Sequence, residues 1–127
     1  MRKTFLLFLC FASLSGAEWM NYEDALKLQA RTGKIIMIDI VRTNCHYCVD
    51  MEKAVFDDIE MHKWLEKRFI MAKVNLDHEK APLGIKTTFT PSFFFIDKNH
   101  KIVKKFPGSW NIEDFKDLTR KIIKDKK

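Results

Sequence analysis

The sequence predicts an α/β fold. A central mixed sheet of four to five strands combines a βαβ unit with a ββα unit, and helices flank it. The short apolar run 34–40, rich in β-branched residues, is typical of a strand buried on both faces of a sheet, and the run 69–76 predicts a second strand. Two further runs, 91–97 and 101–106, are joined by a polar turn and therefore predict a hairpin. The helical pattern between the first two runs makes those strands parallel, through a right-handed crossover.

Helix signals fill the intervals between these strands. Asn21 is placed to cap a first helix, and Gly33 is placed to end it. A long helical pattern follows the second and third cysteines and breaks at 57–58, where two aspartates can cap a new helix. Residues 79–83 predict a short helix that ends near a glycine, and residues 111–124 predict a terminal amphipathic helix.

The N-terminal segment has the pattern of a signal peptide. Arg2 and Lys3 are followed by an apolar run over 5–14 and then by small residues. A run of this length is too short for an ordinary membrane-spanning helix, so retention of the segment as an anchor is the weaker alternative. We therefore expect residues 1–17 to be a signal peptide and residues 18–127 to form one exported, periplasmic domain.

The cysteine content points to a reactive pair. The chain of 127 residues has three cysteines, of which Cys10 falls in the predicted leader. Cys45 and Cys48 remain, and an exported protein meets an oxidising compartment. A disulfide between residues three apart closes too small a loop to stabilise the fold much, so we expect this pair to serve chemistry.

Composition and spacing exclude other classes of site. A zinc site needs four ligands, and the sequence has neither a second C-x-x-C pair nor a spaced histidine pair, so no metal is expected. The formal net charge is +6, but the basic residues form no stripe with aromatic residues. Binding of nucleic acid is therefore not expected.

The segment Cys45-His46-Tyr47-Cys48 follows a predicted strand and opens a predicted helix. Backbone N–H groups at a helix N-terminus stabilise an anion, so Cys45 is the expected nucleophile. Cys48, one turn later, is expected to be more buried and to resolve the mixed disulfide. A protonated His46 would add to the stabilisation of the Cys45 thiolate.

These residues resemble the thioredoxin superfamily over nearly all of the predicted mature chain. The resemblance rests on the C-x-x-C pair after a buried strand and on Asp39, an acid in an apolar run six residues before Cys45. It also rests on the segment 72–77, which includes Lys73, and on Thr90-Pro91 before a strand. One departure is Asn44, which stands where the family usually has a tryptophan.

The resemblance implies a role for each of these residues. Asp39 would be buried, with a raised pKa, and would accept the proton of the second cysteine; Lys73 would be its partner. The bond before Pro91 would be cis, and Thr90 would pair with the backbone of an extended substrate. Tyr47, before the second cysteine, and Thr90 resemble the exported disulfide isomerases and reductases.

The segment 45–77 further resembles exported thioredoxin-like proteins, including the periplasmic C-terminal domain of the membrane thiol-electron transporter. The expected function is an exported thiol–disulfide oxidoreductase that reduces protein disulfides. It would need no cofactor beyond its own disulfide, and a membrane thiol-electron donor would re-reduce it. A monomer is expected, because 110 residues leave no room for the dimerisation extension that isomerases of this superfamily commonly have.

Two alternatives remain open at this point. The protein could act as a disulfide oxidase or isomerase, which depends on its redox potential. It could also be a redox-linked copper chaperone that uses the two cysteines and Met51, since Cu(I) suits soft sulfur ligands. Met51 could face either the core or the site, and the core is the favoured interpretation.

Overall fold

The computed structural model describes residues 19–124, so the predicted signal peptide lies outside the described residues. The predicted fold class is confirmed, and the sheet has four strands. The helices and strands in chain order are α1 (Tyr22–Thr32), β1 (Ile35–Val41), α2 (His46–Met51), α3 (Ile59–Glu66), β2 (Phe69–Asn75), β3 (Ser92–Ile96), β4 (Ile102–Pro107) and α4 (Ile112–Lys124).

The sheet places β1 at its centre. The strand order is β2-β1-β3-β4, with β1 parallel to β2 and antiparallel to β3, while β3 and β4 form an antiparallel hairpin. A central strand covered on both faces needs apolar side chains on both. Residues 35–40 are accordingly all buried, including the one acid among them.

Two apolar layers cover the two faces of the sheet. Side chains alternate between the faces along a strand, so Phe93 and Phe95 lie in one layer and Phe94 in the other. The first layer is largely aromatic, with ring centroids 5.0–5.9 Å apart in a network of mostly edge-to-face contacts. The phenylalanine rings in this network are those of Phe56, Phe69, Phe93, Phe95, Phe106 and Phe115.

The helix that begins at the cysteines widens after one and a half turns. A π turn spans Glu52–Phe56, and the Asp57 N–H donates to the Glu52 carbonyl at 2.8 Å, five residues back. The wider turn lets Met51 and Phe56, five residues apart, both reach the core. Asp58 then caps α3 by accepting the Met61 N–H at 2.8 Å, which confirms the predicted break. The π turn before it was not predicted.

The predicted helix over 79–83 is wrong in extent. The structure has only a 3₁₀ turn, Pro82–Gly84. Proline suits the first position of a helix because its missing N–H would have no partner there. Leu83 has φ 56°, in the left-handed region, so the turn cannot continue as a helix.

The predicted ends of the first and last helices are confirmed. Asn21 and Asn111 each accept a backbone N–H three residues later at 2.8 Å. Gly33 ends α1 with φ 69°, a conformation that glycine adopts without steric cost. Within residues 19–124, no helix combines the length and apolar character needed to cross a bilayer.

Candidate functional site

The two cysteines lie where β1 leaves the sheet and α2 begins. Asn44, at φ 57°, turns the chain, and Cys45 is the N-cap residue of α2. Cys45 and Cys48 form a disulfide with Cα atoms 5.2 Å apart. The Cys45 Sγ accepts the Cys48 backbone N–H at 3.1 Å. In the reduced protein the same N–H would stabilise a thiolate on Cys45, because sulfur replaces the usual capping oxygen.

Thr90 provides a second donor to the same sulfur. Its Oγ1 donates to the Cys45 Sγ at 3.2 Å, and its carbonyl oxygen lies 3.4 Å from that sulfur. The Thr90–Pro91 peptide bond is cis. The Pro91 carbonyl accepts the Gly108 N–H at 2.8 Å, so this loop is tied to the end of β4. The structure therefore brings Thr90, predicted from the sequence, into contact with Cys45.

Asp39 lies on β1, and only 2% of its surface is exposed. Its Oδ1 is buried without a hydrogen-bond partner among the described residues. The pKa of Asp39 is raised to about 7, chiefly because the carboxyl group is buried; the charge of Lys73 lowers this pKa, whereas the charge of Glu52 raises it. At neutral pH the carboxyl group is therefore poised to accept or release a proton.

Lys73 does not form the ion pair expected from the sequence. It lies beside Asp39 in the register of β1 and β2, but its Nζ donates to the Glu52 Oε2 at 2.9 Å. A buried carboxyl with a raised pKa is a poor partner for an ammonium group at neutral pH, whereas Glu52 is about one third exposed and keeps access to water. Lys73 therefore acts on Asp39 through its charge and not through a direct pair.

Two residues that contact Lys73 were not predicted as part of the site. Glu52 lies four residues after Cys48, so helical spacing alone would have placed it one turn beyond the second cysteine. Trp19 lies at the boundary of the predicted leader, and the Lys73 Nζ is 4.4 Å from the centroid of its ring. A cation over an aromatic face is attracted by the ring, so Trp19 helps to hold the ammonium in place.

His46 makes no described contact with the sulfur that it was expected to influence. Its Nε2 lies 3.2 Å from the Asp50 Oδ2, and its side chain is 83% exposed. The described contacts of Cys45 include no contact with the imidazole. A stabilising effect of His46 on Cys45 would therefore act through its charge without a hydrogen bond, and solvent would screen it.

Tyr47 lies on the surface beside the disulfide and lines a cavity of about 330 Å³. Phe89, which was not predicted as a site residue, lines the same cavity. These two side chains are 63% and 70% exposed, which is unusual for aromatic residues of their size. The cavity also touches Thr90 and Pro107, so it joins the proline loop to the end of β4.

Met51 faces the core, as favoured from the sequence. Its side chain is fully buried, and its Sδ accepts the Trp110 backbone N–H at 3.3 Å. The thioether is thus engaged in packing between α2 and the segment before α4. Among residues 19–124, no cluster of three or more histidine, cysteine, aspartate or glutamate side chains is arranged to hold a metal ion.

This arrangement defines a class of protein. A C-x-x-C pair that forms a disulfide at a helix N-terminus on this fold is the site of a thiol–disulfide oxidoreductase. The model of the family described as "Thioredoxin-like domain" matches residues 22–123, and the chain belongs to this family.

Solved structures share the fold. A thioredoxin from Thermus thermophilus has a TM-score of 0.70 and 27% identity, and the match covers 86% of this chain and 88% of that one. A DsbH oxidoreductase has a TM-score of 0.70 and 16% identity, with 97% and 95% covered. The C-terminal domain of DsbD from Neisseria meningitidis, in its oxidised form, has a TM-score of 0.63 and 14% identity, with 82% and 98% covered.

One curated relative matches only a part of its own length. It is a 5'-deoxyadenosine deaminase from Methanosphaera stadtmanae, 27% identical over 97 residues. The match covers 68% of this chain but only 23% of the relative, so this chain spans about a quarter of that protein's length. A partial match at this identity carries no activity over to the present chain.

Proposed function

We propose that this chain is an exported thiol–disulfide oxidoreductase that reduces disulfides in other proteins. The observation that carries the proposal is the environment of Cys45. Its sulfur lies at the start of α2 and accepts hydrogen bonds from the Cys48 N–H and the Thr90 hydroxyl. Two donors aimed at one sulfur favour its anionic form, which is the nucleophile in disulfide exchange.

The reaction transfers two electrons from the dithiol to a substrate disulfide. The Cys45 thiolate attacks one substrate sulfur, a Cys45–substrate bond forms, the substrate S–S bond breaks, and the second substrate sulfur leaves as a thiolate. Cys48 then loses its proton and attacks the Cys45 sulfur. The first substrate sulfur leaves as a thiolate, the protein is left with its Cys45–Cys48 disulfide, and the substrate is reduced by two electrons.

Asp39 is the proposed acceptor of the Cys48 proton. A base is most effective when its pKa lies near the working pH, and burial raises the pKa of Asp39 to about 7. Glu52 and Lys73, with opposite effects on that pKa, are the proposed positioning residues. Thr90 and Pro91 present the neighbouring backbone to an extended substrate.

Continued turnover requires a reductant. A membrane thiol-electron donor would reduce the Cys45–Cys48 disulfide by the same exchange in reverse, so the protein needs no bound cofactor. The sequence of residues 1–17 supports export to the periplasm, because it has the charged start, apolar run and small residues of a signal peptide. The proposed oligomeric state is a monomer.

The activity is tested by reduction of insulin disulfides. We expect wild-type protein to catalyse reduction and Cys45→Ser to have no activity, while the control Ala30→Ser, an exposed position on α1, stays at the wild-type rate.

The direction of the reaction is tested by measuring the redox potential of the protein against glutathione. A value near −270 mV, as in thioredoxin, supports a reductase, whereas a value near −120 mV, as in DsbA, would overturn that direction.

Export is tested with the full-length chain in a bacterial host. We expect the protein in the periplasmic fraction, with an intact mass that corresponds to a chain beginning at Glu18. A mass that retains residues 1–17, with the protein in the membrane fraction, would show an anchored form instead.

A further inference from the structure

Two cavities that share lining residues form a groove beside the disulfide, near the residues where β3 begins and β4 ends. The cavity of about 330 Å³ beside Tyr47 and Thr90 adjoins a second cavity of about 250 Å³. Phe89 and Pro107 line both cavities, so they form the wall between the two compartments. A segment bound across Cys45 can therefore extend over this wall into the second cavity.

The first cavity suits an apolar side chain. Tyr47 and Phe89 are mostly exposed, and both border it. Exposed aromatic side chains lower their free energy when another apolar group covers them. Thr90 lines the same cavity and touches the Cys45 sulfur, so a side chain held there belongs to a residue next to the substrate cysteine.

The second cavity carries positive charge. Lys86 and Lys105 line it, both are exposed, and no acidic side chain is among its lining residues. Neither lysine has an ion-pair partner within residues 19–124. Lys105 is two residues before Pro107 on β4 and lies on the same face, about 7 Å further from the wall.

We infer that this groove selects substrates in which the reactive cysteine has an apolar neighbour and an acidic side chain two to three residues further along the extended chain. The apolar side chain occupies the first cavity, and the carboxylate lies between Lys86 and Lys105. This inference rests on the proposed function, because it requires a mixed disulfide on Cys45. The exchange itself is the one given above and needs no further reactant.

The experiment compares peptide disulfides as substrates of the reduced protein. Each substrate is a disulfide-linked dimer of a short peptide with phenylalanine on both sides of its cysteine, so the result does not depend on chain direction. One peptide has glutamate two residues beyond each phenylalanine, and its partner has lysine there. We expect kcat/KM to be about tenfold higher for the acidic peptide at low salt, with the difference reduced in 0.5 M NaCl.

Variants assign that preference to the groove. We expect Lys86→Glu with Lys105→Glu to reverse it, whereas Lys98→Glu with Lys121→Glu, a control with the same change in net charge at positions away from the groove, leaves it in place. Phe89→Ser should lower kcat/KM about fivefold for peptides with phenylalanine beside cysteine. The loss should be smaller for peptides with serine there, because serine buries little apolar surface against Phe89.

Hydroxyethyl disulfide is small and neutral, so its reduction distinguishes a failure of the groove inference from a failure of the proposed function. Equal rates for acidic and basic peptides, with normal reduction of hydroxyethyl disulfide, would overturn the groove inference and leave the proposed function intact. A preference that survives in the Lys86 and Lys105 double variant would also overturn it. Failure to reduce hydroxyethyl disulfide and the peptides alike would overturn the proposed function and the inference that rests on it.

Discussion

The two sides of the disulfide differ in their chemistry. On the inner side, Asp39 lies buried in the central strand, and Glu52 and Lys73 act on it through their charges. On the outer side, Thr90 touches the Cys45 sulfur and Phe89 stands exposed at the rim of the groove. In the proposed mechanism the inner side controls protons, whereas the outer side meets the substrate.

The difference in exposure determines how each side can be tested. Charges act strongly on one another in a buried environment, where water and salt screen them little. Changes on the inner side should therefore move pH dependence and stability. Changes on the outer side should alter rates with particular substrates and should respond to salt.

The largest effect is expected where both sides meet, at the cysteines. Cys48→Ala removes the resolving thiol, so the Cys45–substrate disulfide should accumulate and turnover should cease. Gel electrophoresis without reductant, followed by mass spectrometry, would detect and identify the trapped substrates. Cys45→Ala should trap none, and trapping of the same proteins by that variant would contradict the assignment of the nucleophile.

On the inner side, Asp39→Asn should slow the resolving step about a hundredfold at pH 8, because a positioned base contributes about that much or more. In wild-type protein this step should accelerate as pH rises through about 7, where Asp39 loses its proton. The variant should lack that inflection. Stopped-flow release of substrate from a preformed mixed disulfide measures it, and an unchanged pH profile would remove Asp39 from the mechanism.

The same substitution should increase stability at alkaline pH. The pKa of Asp39 is about 7 in the folded state, against an ordinary value of 3.8 for an exposed aspartate, so the folded state binds more protons between these values. The free energy of unfolding contributed by Asp39 therefore falls as pH rises from about 4 to 7. Urea denaturation of the oxidised proteins should show Asp39→Asn gaining about 4 kcal/mol relative to wild type between pH 4 and pH 8. An equal difference at both values of pH would contradict the raised pKa.

Glu52 and Lys73 offer a matched pair of substitutions with opposite signs. Glu52→Gln removes a negative charge, so the pKa of Asp39 should fall; Lys73→Met removes a positive charge, so the same pKa should rise. We expect shifts of about half to one pH unit in the inflection of the resolving step. Shifts in the same direction would show that the substitutions act through packing instead of charge.

The smallest effect is expected for Thr90→Val, which keeps the side-chain shape and removes the hydroxyl that donates to the Cys45 sulfur. Loss of one hydrogen bond to a thiolate should slow alkylation of reduced Cys45 by iodoacetamide about threefold near neutral pH. The stability between pH 4 and pH 8 should follow that of wild-type protein. A change in that pH dependence would contradict the expectation that only the inner side controls it.

The residues that the sequence predicted correctly share a local signal. Asp39 stands out because it is the one acid in an apolar strand, and the cysteines stand out because they directly follow that strand. The run 91–97, predicted as a strand, buries Phe93, Phe94 and Phe95, because a strand between two covered faces buries both sets of side chains. Local pattern and physical environment coincide at these positions.

The residues that were missed depend on long-range geometry. Phe89 reads as one more aromatic residue before a strand, and only the folded loop shows that it points outward. Lys73 was expected to pair with Asp39 because the two strands align, but the position of Glu52 after α2 offered the ammonium a better partner. Such competition between partners cannot be read from the spacing of any one segment.

The strand order has a consequence for self-association. Met20 pairs with the outer edge of β2, whereas within residues 19–124 no strand covers the outer edge of β4. An uncovered edge can template the addition of a strand from another molecule, which leads to aggregation. Lys104, Lys105 and Pro107 occupy this edge. Two copies brought together at this edge would place like charges against each other, and the proline has no N–H to donate to an added strand. The edge therefore opposes aggregation through strand pairing.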